Sequence, residues 1–221
     1  MYLNGVVFRG FLLDLNTLNQ VPRRNRTLKK FQEKVAEAVP KDVLPENIEI
    51  WFQHEARVGQ RGSVTRIWAR QGTRSLIIRQ QQFAYAYIFG AVCPMKDRAV
   101  GLVMPTIGMD CMQYHLDEIA KQIEPGNHAV IVFNRAAWHT TKKLRLPKNL
   151  SLLPLPVESS ELSPIEQVWQ VLQDRYLANR CFESYDHIVK SCCDAWDAFT
   201  SCKGAIRQLC SRDWAKNKTC F

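Results

Sequence analysis

Three polar residues stand where the chain's apolar runs stop. His54 follows IEIWFQ, Asn134 follows HAVIVF, and Glu166 lies in the first turn of the amphipathic segment that begins SPIE. Functional groups gather at strand ends because the strand fixes the group while the loop beyond leaves it accessible. One imidazole, one neutral amide and one carboxylate are a poor set for magnesium, which takes anionic oxygen. Imidazole nitrogen suits zinc or nickel instead, and His115 or His139 could add to such a set. Each residue also has a plain structural reading. His54 can be a polar group on an exposed strand end, and Asn134 a turn residue bonded to its own backbone. Glu166 can close a capping box in which Ser163 is the N-cap and Pro164 the first helical residue.

A second constellation is cationic. Arg57, Arg61, Arg66, Arg70, Arg74 and Arg79 follow one another with no acidic residue between them, interleaved with Trp68 and several glycines. Guanidinium groups in such a run can hold phosphates without any metal, and each contact makes the affinity more dependent on salt. Lys142 and Lys143, in the loop after His139, extend the same character. The plain alternative is a solvated basic hairpin.

The elements that must position these groups follow from hydrophobic periodicity. A basic, breaker-containing segment passes into a short amphipathic helix, Thr27 to Ala38, ended by Pro40. Residues 1–45 therefore read as a basic N-terminal arm or linker with one helix, too short for a helix-turn-helix, and residues 46–221 as one domain. IEIWFQ is a strand, SVTRIWARQ and SLIIRQQ are shorter half-polar strands, and FAYAYIFGAVC and RAVGLVMPT pair across the turn at PMKD. Met112, Leu116, Ile119 and Ile123 then recur at helical spacing. HAVIVFN reads as a central strand covered on both faces, LSLLPLP as another strand, and SPIEQVWQVLQDRYL and YDHIVKSCCDAWDAF as the two helices of the last third. An antiparallel meander, a crossover helix, a parallel strand and a second crossover imply an α/β fold, a mixed β-sheet with helices on both faces.

Composition narrows the partners. With 30 Lys and Arg against 21 Asp and Glu, the formal net charge is +9, which favours a polyanion such as nucleic acid. No stretch has the length and apolarity of a membrane span, and the N-terminus lacks the pattern of a secretory signal, so an intracellular, cytoplasmic protein is expected, with no membrane partner. The eight cysteines include no Cys-x-x-Cys pair, and reduced thiols packed on helix faces are the expectation.

WFQHEARVGQRGSVTRIWARQGTR, YAYIFGAVCP, PGNHAVIVFNRAAWH and NLSLLPLPVESSELSPIEQVW, with the helices that follow, resemble the catalytic domain of DDE-type insertion-sequence transposases of the mariner-related class. The resemblance runs from about Lys29 to Trp214. It implies an RNase H-like fold and an ancestral activity that cuts and rejoins double-stranded DNA with Mg²⁺ or Mn²⁺ held by three carboxylates. It also leaves room for a homodimer.

Carried onto this chain, the resemblance places the three catalytic carboxylates at positions 54, 134 and 166. His54 and Asn134 stand where aspartates are expected, and Glu166 is retained. The VESSEL stretch before the third position also departs from the family's Tyr-Ser-Pro pattern. Two divalent ions about 4 Å apart require anionic oxygens to offset their charge. Asp to Asn removes a charge and a metal-binding oxygen, and Asp to His substitutes nitrogen, so Glu166 is left as a weak or lost metal site. Glu55 cannot simply substitute, because successive strand residues face opposite ways. The expectation is a transposase-like protein, inactive or severely impaired in cleavage, that binds no metal or binds it weakly. The alternative is a non-enzymatic DNA-binding protein, a domesticated or relic domain.

Overall fold

The computed structural model describes residues 31–61, 70–72, 80–133, 144–155 and 163–212. Five strands form one mixed sheet: β1 (Ile48–Gly59), β2 (Tyr85–Cys93), β3 (Arg98–Met104), β4 (His128–Phe133) and β5 (Leu150–Pro154), in the order β3-β2-β1-β4-β5. The first three form the antiparallel meander, and β4 and β5 join β1 in parallel. The helices are α1 (Phe31–Ala38), α2 (Met109–Gln122), α3 (Ile165–Leu172), α4 (Tyr185–Thr200) and α5 (Ala205–Cys210).

Alternation along the strands builds a core on each face of the sheet. Ile50 and Phe52 of β1, with Val130 and Val132 of β4, meet Ile165 and Val168 of α3, Phe31 and Val35 of α1, and Ile188 of α4. Trp51, Ala129 and Ile131 point the other way, onto Met112, Leu116 and Ile119 of α2. All six residues of β4 are buried, as a strand covered on both faces requires. At the start of β1 the buried Glu49 carboxylate accepts from the Trp51 indole at 3.0 Å, the Glu124 amide at 3.2 Å and Asn127 Nδ2 at 2.9 Å. These bonds tie β1 to the loop between α2 and β4, and so help fix the parallel register.

Three expectations change. β1 does not stop at Gln53: it continues to Gly59, because β2 pairs with it from Phe52↔Val92 to Gly59↔Tyr85 and supplies the backbone bonds that the polar side chains do not advertise. The last third holds a further helix, α5, whose first turn is capped from far away in sequence, where Asp97 accepts from the Gly204 amide at 2.5 Å and the Arg207 amide at 2.9 Å. The helix from SPIE is α-helical only to Leu172 and widens into a π turn over Gln173–Leu177. The strands expected in SVTRIWARQ and SLIIRQQ fall mostly outside the described residues, and residues 70–72 and 80–81 are not strand. Among the described residues no helix is long and apolar enough to cross a membrane.

No disulfide joins the seven described cysteines. Burial pushes Cys93, Cys192 and Cys210 up to about 12, so at pH 8 only roughly 10⁻⁴ of each is the reactive thiolate. Alkylation of the native protein at pH 8, read by peptide mass spectrometry, should therefore modify the exposed Cys181 and Cys202 and spare those three until the protein is denatured.

Candidate functional site

Just beyond the described pairs of β1 with β4, the next β1 side chain on the α3 face is His54. The parallel ladder runs from Ile48↔His128 to Gln53↔Phe133, and His54 is the following residue. The first turn of α3 brings Glu166 to it, with Oε1 3.1 Å from His54 Nδ1 and the side chains 37% and 27% exposed respectively. Trp169, one turn further along the same helix face, places its indole nitrogen 3.3 Å from the same Nδ1.

One nitrogen cannot serve both neighbours. A carboxylate only accepts, so the Glu166 contact needs a proton on Nδ1, whereas the indole only donates and needs a lone pair there. The Glu166 contact is shorter, and a charge-assisted bond is about twice as strong as a neutral one. Nδ1–H donating to Glu166 is therefore the arrangement the geometry favours. The expected capping box is absent: Glu166 reaches His54 instead of back to Ser163, and α3 has no side-chain cap. Ser163 Oγ is buried with no hydrogen-bond partner among the described residues.

The residues that hold this group carried a signal that residue-by-residue chemistry passed over. His54 pairs with Gly90 of β2, and Gly90 pairs with Gly101 of β3. On that floor Trp169 of α3 and Trp196 of α4 lie against each other, ring centroids 5.9 Å apart. A Cβ on Gly90 would come within 2.5 Å of Trp169 Cη2 and 2.9 Å of Trp196 Cη2, and one on Gly101 would overlap the Trp196 indole. A glycine inside a strand marks a close approach, and two such glycines opposite each other mark where the tryptophans enter.

His115 does not join His54. It is buried in α2 across the sheet, with its ring centroid 5.9 Å from that of Phe89. Glu55 likewise faces the α2 side and accepts from Gln53 Nε2 at 3.1 Å. Asn134, His139 and the VESSEL loop lie outside the described residues, as do Arg66, Arg74, Arg79, Lys142 and Lys143. Of the expected cationic residues, Arg57, Arg61 and Arg70 are described, and all three are exposed. Arg57 alternates to the face opposite His54 and lies over the Tyr85 ring at 4.7 Å, while Arg61, just past β1, lies over the Phe83 ring at 4.1 Å.

A metal pair would need more than this site offers. Among the described residues no three His, Cys, Asp or Glu side chains are grouped to hold an ion. At the site itself, one carboxylate faces an imidazole nitrogen, a donor pair that does not fit a hard divalent cation.

Comparison with known proteins places this arrangement. A family model described as DDE superfamily endonuclease matches residues 49–189. The uncharacterized protein y4pE/y4sA of Sinorhizobium fredii (strain NBRC 101917 / NGR234) is 46% identical over 131 residues, 59% of this chain and 97% of its own length. Among solved structures, the Mos1 mariner paired end complex with Mn is similar at a TM-score of 0.61 and 16% identity, over 86% of this chain and 58% of that one. The Mos1 strand transfer complex gives 0.59 and 17%, over 90% and 60%. At such identity the likeness is one of fold, and it agrees with the mixed, helix-flanked sheet of an RNase H-like domain. The chain spans about three fifths of the length of those solved chains.

The glycine floor yields a direct test. Gly90→Ala should cost about 1–3 kcal/mol in urea denaturation, as overpacking does in a filled core. Combining it with Trp169→Phe, which removes the ring atom that the new methyl meets first, should recover part of that loss.

Proposed function

The chain belongs to the DDE superfamily of endonucleases, and from that membership we propose a transposase-derived DNA-binding protein in which metal-dependent strand cleavage and transfer is lost or severely impaired. The observation that carries this reading is the 3.1 Å contact between His54 Nδ1 and Glu166. The one carboxylate retained at the three expected positions meets an imidazole nitrogen in place of a second carboxylate. The similar Mos1 complexes were solved with Mn and with Mg, and the residues here do not offer those ions the anionic oxygens they require.

What the chain's own residues can still do is hold a polyanion. From Ala56 to Tyr85 the sequence has no acidic side chain, and the excess of nine positive charges lies in a chain with two fewer carboxylates than its family pattern implies. Removing carboxylates removes repulsion toward the phosphate backbone, so loss of cleavage and retention of binding are compatible electrostatically.

Two measurements test the two halves of the proposal. In a plasmid-nicking and strand-transfer assay with cognate transposon ends in Mg²⁺ or Mn²⁺, turnover should not exceed that of Glu166→Ala, and restoring aspartate at positions 54 and 134 together should raise it. Turnover of the unaltered protein well above the Glu166→Ala control would refute the loss of cleavage.

Binding should survive chelation. Fluorescence anisotropy with random duplexes in EDTA should give a Kd of roughly 10⁻⁴ to 10⁻⁶ M near physiological salt, weakening steeply as salt rises. Changing Arg61, Arg66 and Arg70 together to alanine should weaken binding across all sequences and flatten the salt slope, since phosphate contacts position a duplex without reading it.

A further inference from the structure

At the open end of the β1–β2 pair two guanidinium groups rest on two aromatic rings, side by side. Arg61 lies 4.1 Å from the Phe83 centroid and Arg57 lies 4.7 Å from the Tyr85 centroid. Phe83 is nevertheless 64% exposed, a large apolar surface left uncovered among charged and amide side chains. Its neighbours Gln81 and Gln82 are exposed as well. Beside the pairs a cleft opens, lined by Arg57, Arg61, Tyr85, Gln173, Leu177 and Phe182.

The surface is held rigidly. The Gln60 amide donates to the Ala84 carbonyl at 3.1 Å, and the Ala84 amide donates to Gln60 Oε1 at 3.2 Å. Gln60 Nε2 and Gln80 Nε2 both donate to the Phe182 carbonyl at 2.9 Å, and the Phe182 amide donates to Gln80 Oε1 at 2.6 Å. Gly59 permits the close approach, since a Cβ there would overlap the Ala84 carbonyl. Two glutamines, one on each side of the arginine-rich segment, thus fasten the root of that segment to the loop before α4. Phe83 sits between those fastenings.

An exposed aromatic ring with a cation on one face, set in a strip without acidic residues, matches the chemistry of an unpaired nucleobase: a π-face to stack on and a phosphate to neutralise. A paired duplex offers its phosphates but keeps its bases stacked internally. We infer that Phe83, braced by Arg61 and flanked by the Tyr85–Arg57 pair, is a stacking platform for an unpaired base of bound DNA. This rests on the DNA-binding reading above and adds to it a preference for duplexes that carry unpaired nucleotides.

Three fluorescent DNAs test it by anisotropy in EDTA: a blunt duplex, the same duplex with a short single-stranded thymidine tail, and that duplex with an abasic tail that keeps the phosphates but not the bases. The protein should bind the thymidine tail at least about fivefold more tightly than the abasic tail, the lower end of what one stacked base contributes. Phe83→Ala should abolish that difference while leaving blunt-duplex affinity and thermal midpoint unchanged, and Phe83→Trp should keep it. Equal affinity for the two tails, or a difference that persists in Phe83→Ala, overturns the platform while leaving duplex binding intact. Absence of binding to all three DNAs overturns both the platform and the DNA-binding proposal beneath it.

Discussion

Six residues of β1 pair in parallel with the six of β4, from Ile48 beside His128 to Gln53 beside Phe133, and His54 is the next residue of β1. Both strands are covered on both faces along the ladder, so most of their side chains are apolar and their register is set by packing from above and below. One residue further on, β1 still pairs with β2, and His54 is partly exposed on the α3 face. In sheets of this kind sites form at the carboxyl ends of the parallel strands, and His54 lies at that end of the β1–β4 ladder. The Glu49 bonds at the opposite end of β1 matter for the same reason: a slip of one residue would turn His54 away from Glu166.

Much of this was legible in the sequence, and the exceptions share a cause. HAVIVF announces a fully covered strand because five of its six side chains are apolar, and Met112, Leu116 and Ile119 announce the buried face of α2 by spacing alone. β1 was harder to delimit. Its second half, His54 to Gly59, is held by backbone bonds to β2, and polar side chains give no sign of a ladder. The six-residue α5 is too short for periodicity to reveal it, and its cap, Asp97, comes from the turn between β2 and β3. SPIE looked like a capping box because Ser, Pro and Glu stand at the right spacing, yet His54 of β1 offered Glu166 a charge-assisted partner on the α3 face. In each case a contact distant in sequence outweighed a local preference.

The retained fold and the altered site are also connected through charge. Three carboxylates facing one another repel unless a metal offsets them, and the native state then bears that repulsion whenever the metal is absent. Placing imidazole at position 54 turns one repulsive contact into an attractive one. A half-exposed pair of this kind contributes no more than about 1 kcal/mol, so the larger change is the repulsion that is no longer present. The described core needs no metal: the tryptophan pair, the two glycines beneath it and the helices on both faces pack by apolar contact. The described packing therefore stands independently of the chemistry at position 54.

That independence extends along β1 itself. Strand alternation sends His54 toward α3 and Arg57 toward the opposite face, and Arg61 follows just beyond the strand's end. A substitution that neutralises the carboxylate site therefore leaves the cationic end of the same strand in place, since the side chains do not touch and the backbone between them is fixed by β2. The glutamine fastenings through Phe182 hold that cationic end to the loop that follows the π turn of α3, not to the first turn that carries Glu166. The His54–Glu166 contact and the cationic end thus use different parts of α3 and opposite faces of β1, which is the physical condition under which one can change while the other persists.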